Sequence, residues 1–240
     1  MTRKLGWYLA FFALLLAGFW FFVLKDQDLS KSPLAVISHV DTFSFINQDG
    51  RRITDKDVDD KVYVAEYFFT TCKGICPRMN ANMRRVFDEY KYEPNFMILS
   101  HTCMPETDSV PAMKVYEEKM INGNLSKNDD GSFKIVPGNT LKPVINANWN
   151  FVTGDKTALY KIAREGYMID NNKPDSTQNI SEQFIHTQFF ALVDKERRVR
   201  GIYDGLKEEE IEKLLNDIKG LLKEKTDHKR FMNGFSNTPN

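Results

Sequence analysis

The sequence predicts an α/β fold behind an N-terminal apolar segment, and three observations carry that prediction. Strand-like and helix-like stretches alternate through about one domain's worth of chain. A buried-strand pattern, Val62 to Phe69, runs through a turn bearing two cysteines into an amphipathic helical pattern, as in a βαβ unit. Ahead of all this, Leu5 to Leu24 carries no charge and is long enough to cross the ~30 Å hydrocarbon core of a bilayer as a helix.

Taken in order, residues 1–4 form a short cytoplasmic N-terminus and 5–24 a transmembrane anchor in contact with lipid. Trp7, Tyr8 and Trp20 are placed as interfacial anchors, and Arg3 and Lys4 keep the N-terminus inside. The apolar stretch is longer than the ~7–15-residue core of a signal peptide and no small-x-small site follows it. No cysteine follows Leu16-Ala17-Gly18, so there is nothing to acylate. The rest of the chain is expected on the extracytoplasmic, periplasmic side of the inner (plasma) membrane, an oxidising compartment where paired thiols become disulfides unless reduced or metallated. Residues 25–35 read as a polar linker, 36–225 as the globular domain, and 226–240 as a flexible tail.

Within the domain, His39 to Ile46 and Arg51 to Thr54 flank Asn47-Gln48-Asp49-Gly50, a hairpin signal. After the Val62 strand, Pro77 to Tyr90 places Met79, Met83, Val86, Phe87 and Tyr90 at helical spacing. Phe96 to Ser100 reads as a strand and Val110 to Met120 as a second amphipathic helix. Residues 122–142, rich in Asn, Asp, Gly and Ser, read as a surface insertion with a small hairpin around Asp130-Gly131. Trp149 to Val152 resumes a strand and Lys156 to Arg164 a helix. Asn171 to Gln183 is loop-like, Thr187 to Asp194 and Arg197 to Tyr203 form an antiparallel pair, and Glu208 to Lys223 is a charged amphipathic helix. Thirty-three basic and thirty-three acidic residues cancel, and no basic stretch with interleaved aromatics exists, so nucleic acid is excluded as a partner.

The chemistry concentrates at Cys72 and Cys76, separated by three residues, where the strand ends and Pro77 opens the helix. Unsatisfied N–H groups and the positive end of the helix dipole favour thiolate there, so both sulfurs are expected to be more acidic than a free cysteine at ~8.5. Two such sulfurs make a soft-metal clamp or a redox pair. The spacing is one residue longer than Cys-x-x-Cys, and both readings stay open on these residues alone.

His186, before the Thr187 strand, is the third candidate. A histidine beside an apolar strand is ordinarily a packed core residue. Its neighbours change that. Phe68-Phe69-Thr70-Thr71-Cys72-x-x-x-Cys76-Pro77-x-Met79, then Trp149-x-Phe151-x-Thr153-Gly154, His186-Thr187, Leu192-Val193-Asp194 and Arg200-Gly201-x-Tyr203-Asp204-Gly205 resemble the Sco/SenC family in order and approximate spacing. The resemblance covers about Val40 to Leu221. It implies a thioredoxin-like fold, a membrane anchor, and a metallochaperone that delivers copper to cytochrome c oxidase, especially to the dinuclear copper centre of subunit II. Carried over by position, the copper ligands are Cys72, Cys76 and His186. Soft thiolates select copper(I), and an imidazole completes a three-coordinate site that also suits copper(II). A thiol reductant is implied as a further partner, because oxidation of the pair would abolish the site.

The chain departs from the family pattern in three places. Ile185 stands where many members carry Asp, leaving Glu182 and Asp175 as candidates for an outer carboxylate. Thr102-Cys103-Met104-Pro105-Glu106 replaces a stretch that usually contains Asp-Pro-Glu. Cys103, the unexpected third thiol, reads as a small packing residue, the sharper alternative being a spare thiol or, with Met104, an auxiliary soft ligand. The 122–142 insertion is longer than usual. His101 reads as a core or edge residue, His39 and His228 as solvated, and Met79 and Met83 as an apolar helix stripe. The rival function is an extracytoplasmic thiol-disulfide oxidoreductase or redox sensor using Cys72 and Cys76 without metal. His186 discriminates the two, since dithiol exchange needs no imidazole beside both sulfurs.

Overall fold

The computed structural model describes residues 2–19, 34–138, 144–170 and 187–224. The chain divides into two units, Met1–Lys31 and Ser32–Asn240. In the first, helix α1 (Thr2–Phe19) has 18 residues, and Leu9, Phe12 and Leu16 are exposed on it. Among the described residues no helix is long and apolar enough to cross a membrane. Helix α1 begins in the polar Thr2-Arg3-Lys4 turn and is described only to Phe19, about 27 Å of helix at 1.5 Å per residue. The expected span of 5–24 is therefore covered only in part; its last five residues and linker residues 25–33 lie outside the described residues.

In the second unit the elements run β1 (Ser38–His39), β2 (Ser44–Asn47), β3 (Arg52–Thr54), β4 (Val62–Phe68), α2 (Cys76–Tyr90), β5 (Phe96–Thr102), α3 (Val110–Asn122), β6 (Asn124–Lys127), β7 (Phe133–Val136), β8 (Trp149–Thr153), α4 (Lys156–Lys161), β9 (Phe189–Val193), β10 (Arg198–Asp204) and α5 (Glu208–Lys223). Eight of the strands form one mixed sheet in the order β1-β10-β9-β4-β5-β8-β2-β3. Strands β4, β5 and β8 are parallel, with Val62 opposite Phe96 and Phe68 opposite Thr102, while β9 runs antiparallel to β4.

All seven residues of β4 and of β5 are buried, which is why both segments read as nearly continuous apolar runs. Alternation splits the core into two layers. Val62, Val64 and Phe68 pack with α2, α3 and α5, while Tyr63, Ala65 and Tyr67 pack with α4 on the opposite face. Met79 and Met83 belong to the first layer, as their helical spacing predicts.

Several boundaries differ from expectation. The predicted strand from His39 to Ile46 is two strands, β1 pairing with β10 and β2 forming the hairpin with β3. Helix α4 is α-helical only to Lys161; Ile162–Gly166 widens into a π turn, and the Tyr167 N–H reaches the Ile162 carbonyl at 2.7 Å. Strands β6 and β7 form a hairpin that turns at Gly131, whose φ of 83° favours glycine. That hairpin is tied to α2: Arg84 donates to the Gly123 carbonyl at 2.9 Å and the Arg85 guanidinium lies 4.5 Å from the Phe133 ring centroid. The inserted sequence is thus ordered structure over 124–136; residues 139–143 are outside the described residues.

Candidate metal centre

Parallel β4 and β5 both end at the same edge of the sheet, and the turns that follow carry the three thiols. Residues 69–75 lead from β4 into α2, and Cys103 follows β5 directly. Cys72 is half-buried and Cys76 buried, and both are unoxidised thiols. The Cys72 N–H donates to the Phe69 carbonyl at 3.2 Å, closing a turn ahead of Cys76, whose thiol is raised in part by the neighbouring Cys72. The two sulfurs thus lie on either side of the start of α2.

Helix α2 opens at Cys76 itself, with Pro77 inside its first turn. The expected acidity is not observed at Cys76. Burial first, then the neighbouring Cys72, push its thiol well above the usual range; the nearby Phe69 backbone opposes this and does not outweigh it. Desolvation penalises the charged form more than one turn of helix dipole favours it. In the metal-free protein Cys76 holds its proton.

The cysteine turn is pinned from outside by Asp108, which the sequence reading missed. Its buried carboxylate accepts from the Thr70 hydroxyl at 2.6 Å, the Thr70 N–H at 3.3 Å and the Thr102 hydroxyl at 2.5 Å. One carboxylate thus ties the first turn to the end of β5. In the sequence, Asp108-Ser109 before Pro111 signals only the start of α3, where Ser109 is indeed the N-cap. Beneath the site, Tyr116 stacks on Phe68 with centroids 5.1 Å apart and accepts from the Asn80 amide at 2.7 Å. Glu66 was missed as well. It is fully buried on β4, its Oε1 accepts from Ser100 at 2.6 Å, and its Oε2 has no hydrogen-bond partner among the described residues. Burial pushes its carboxyl up to about 8. A glutamate inside Val-Tyr-Val-Ala-Glu-Tyr-Phe gives no sequence signal of this environment.

His186, with Asp175, Ile185 and Glu182, lies outside the described residues, as does His228. Its neighbour is described. Thr187 is buried, and its hydroxyl donates to the Ile169 carbonyl at 2.7 Å, tying together the two sides of the segment 170–186. The β4–β9 register pairs Ala65 with Ala191. The Asp204-Gly205 pair secures that strand start, since the Gln188 amide donates to Asp204 at 2.7 Å and the Gly205 N–H to the Gln188 carbonyl at 2.8 Å. A Cβ at Gly205 would come within 2.7 Å of the Phe190 ring, so the close approach requires glycine.

His101 is a core residue, as expected, with its ring stacked on Tyr67 at 5.1 Å and burial lowering it to about 4. His39 is exposed. Cys103 is buried, and its Sγ donates to the Phe68 carbonyl at 3.1 Å. Among the described residues no three His, Cys, Asp or Glu side chains are arranged to hold a metal. What they supply is two adjacent thiols, the donor chemistry of a soft, two-sulfur clamp.

Comparison with known proteins agrees with this architecture. The SCO1/SenC family model matches residues 33–126 and 139–223. A SCO1 protein homolog of Bacillus subtilis (strain 168) is 26% identical over 191 residues, covering 79% of this chain and 84% of that protein. The structure of BsSco, described as a member of the Sco family of cytochrome c oxidase assembly proteins with a disulfide switch, is 25% identical. It covers 81% of this chain and 98% of its own, with a TM-score of 0.58. ScoI of Arabidopsis thaliana, solved with copper bound, is 19% identical over 76% of this chain and 98% of its own at a TM-score of 0.52, a likeness of fold alone.

Proposed function

We propose, from the premise that this chain belongs to the SCO1/SenC family, that it is a membrane-anchored copper metallochaperone acting in cytochrome c oxidase assembly. Cys72, Cys76 and His186 hold the copper, and the recipient is the dinuclear copper centre of subunit II. The observation that carries this reading is the pair of free thiols, Cys72 half-buried and Cys76 buried, placed where β4 turns into the start of α2. The family membership of BsSco and the copper in Arabidopsis ScoI support it.

The chain's own groups dictate how loading proceeds. Cys76 must give up its proton to become a ligand, so copper uptake releases protons and weakens as pH falls. Cys72, half-buried, offers the side on which an incoming sulfur or imidazole binds before the old ligands leave. A Cys72–Cys76 disulfide would remove both thiolates, so a thiol reductant gates loading. The exposed apolar side chains of α1 support residues 5–24 as a single-pass anchor, with the domain on the extracytoplasmic side. Protease added to right-side-out vesicles should remove the domain and leave a small membrane fragment; a protected domain would reverse this orientation.

Anaerobic copper titration of the reduced full chain in detergent tests the site. One copper(I) per chain is the expected result. His186→Ala should retain copper(I) on the two thiolates and lose copper(II), which favours additional nitrogen donors. Wild-type affinity for both oxidation states in that variant would reject the three-ligand set and favour a metal-independent dithiol oxidoreductase.

A further inference from the structure

We propose that the cleft between the β1–β2 connection and the π turn after α4 is a binding site for a small organic cation, a primary ammonium carried on a single apolar ring. The site goes beyond the copper reading and does not depend on it. The cleft has a volume of about 110 Å³. Its buried lining is Phe45, Ile162 and Gly166, with the half-buried Phe43; its exposed lining includes Asp41, Ala158, Lys161 and Glu165. Phe45 and Ile162 belong to the core layer on the α4 side of the sheet, whereas α2, which starts at Cys76, packs against the other side.

The walls are fixed before any ligand arrives. Phe43 and Phe45, two residues apart, stack with ring centroids 5.5 Å apart and planes 20° from parallel, and His101 meets Phe45 edge-on at 5.5 Å. Ile162 and Gly166 are the first and last residues of the π turn, a departure from α-helical geometry that recurs at functional sites. The Ser38 hydroxyl donates to the Gly166 carbonyl at 2.5 Å, so the turn is tied to β1, the strand that leads into the opposite wall.

Size and charge select the ligand. A cavity of ~150 Å³ lined by Leu, Ile and Phe takes up one benzene ring, so this cleft has room for one ring and little more. Aromatic and aliphatic side chains favour an apolar body, and the exposed rim decides its charge. Lys161 Nζ lies 3.8 Å from Glu165 Oε2, so these two charges offset each other. The exposed Asp41 carboxylate makes no hydrogen bond or ion pair among the described residues, which leaves the rim one negative charge in excess. The negative face of Phe43 acts in the same sense, since an aromatic ring attracts a cation placed over it. An anion would meet Asp41 and that ring face, and could reach Lys161 only in competition with Glu165.

The experiment titrates the reduced, metal-free, isotope-labelled full chain in detergent with benzylamine, benzyl alcohol and benzoate near neutral pH, following backbone amide resonances. The three probes share one ring and differ in charge. Benzylammonium should shift Phe43, Ala158 and Gly166 saturably, with a dissociation constant on the order of 1 mM for so small a ligand. Benzyl alcohol should bind roughly three- to tenfold more weakly, the range of one charge-assisted contact at an exposed rim, and benzoate more weakly still. Asp41→Asn should make benzylammonium and benzyl alcohol bind alike. Ala158→Leu, at an exposed helical position, should fill the cleft and weaken every probe by more than about tenfold. Uptake of the probes into detergent is common to all three chains, so differences between the chains report the cleft. Benzoate binding as tightly as benzylammonium, a preference for the cation that survives in Asp41→Asn, or equal binding in Ala158→Leu would overturn the proposal, as would the absence of saturable shifts at the wild-type cleft. Should Ala158→Leu fail to fold, Asp41→Asn decides.

Discussion

Two neighbouring turns close the same edge of the sheet, and they are built in opposite ways. The turn after β4, residues 69–75, is largely exposed, and its tip, Lys73-Gly74-Ile75, faces solvent. The turn after β5 starts at the buried Cys103 and ends at the buried Asp108, and it is closed by its own hydrogen bonds, among them the Asp108 N–H to the Met104 carbonyl at 2.9 Å. The second turn lends its polar groups to the first, through Asp108 to Thr70 and through Cys103 to Phe68. Beyond its own Cys72 N–H to Phe69 carbonyl bond, the cysteine turn thus draws support from its neighbour, an arrangement that suits the proposed release of a ligand.

Breaking the exposed turn should have the largest effect. Cys72→Ser or Cys76→Ser replaces a soft anionic donor by a hydroxyl that stays protonated near neutral pH, and copper(I) should no longer survive challenge by a chelator. Retention in either variant would show that the pair is not the clamp.

Breaking the supporting turn should cost less and differ in kind. Asp108→Ala leaves the Thr70 N–H and two hydroxyls without their acceptor, destabilising the fold by about 1–3 kcal/mol and weakening copper retention by about 10- to 100-fold. Denaturant titration and chelator competition measure the two effects. Unchanged copper retention would mean that the cysteine turn holds itself.

The smallest effect lies one layer deeper, where β4 and β5 carry Glu66 and His101 on opposite faces. Burial raises Glu66 from 4.5 to about 8, so the folded protein binds a proton that the unfolded chain has lost, and stability falls as pH rises through that window. Burial lowers His101 from 6.5 to about 4, so there the unfolded chain binds the extra proton and stability rises with pH. The two oppose each other up to pH 6.5, and above it Glu66 acts alone. Stability of the metal-free protein should therefore decline between pH 6.5 and 8 by up to about 1.4 kcal/mol per pH unit. Glu66→Gln should flatten that decline; an equal slope in the variant would place the titration elsewhere.

Local pattern was sufficient wherever neighbours in sequence do the work. Helix α5 is predicted and observed over the same residues, Glu208–Lys223, because its apolar stripe, three glutamates in the first turn and Lys223 in the last all favour a helix there. The Asp130-Gly131 hairpin and the all-buried β4 were legible for the same reason. The cysteine pair was legible as a site because spacing and a strand-to-helix turn are properties of adjacent residues. Its acidity was not, since burial of Cys76 is imposed by elements distant in sequence and reverses what the helix start alone would do. Nor was Asp108 legible, whose partner Thr70 lies 38 positions away, nor the hydrogen bond from the Cys103 thiol to the Phe68 carbonyl, 35 positions away. Sequence by itself determined which groups stand at the sheet edge. Only the tertiary structure decided which of them keep their protons and which hold the others in place, because desolvation and hydrogen bonding act between residues that only the fold makes neighbours.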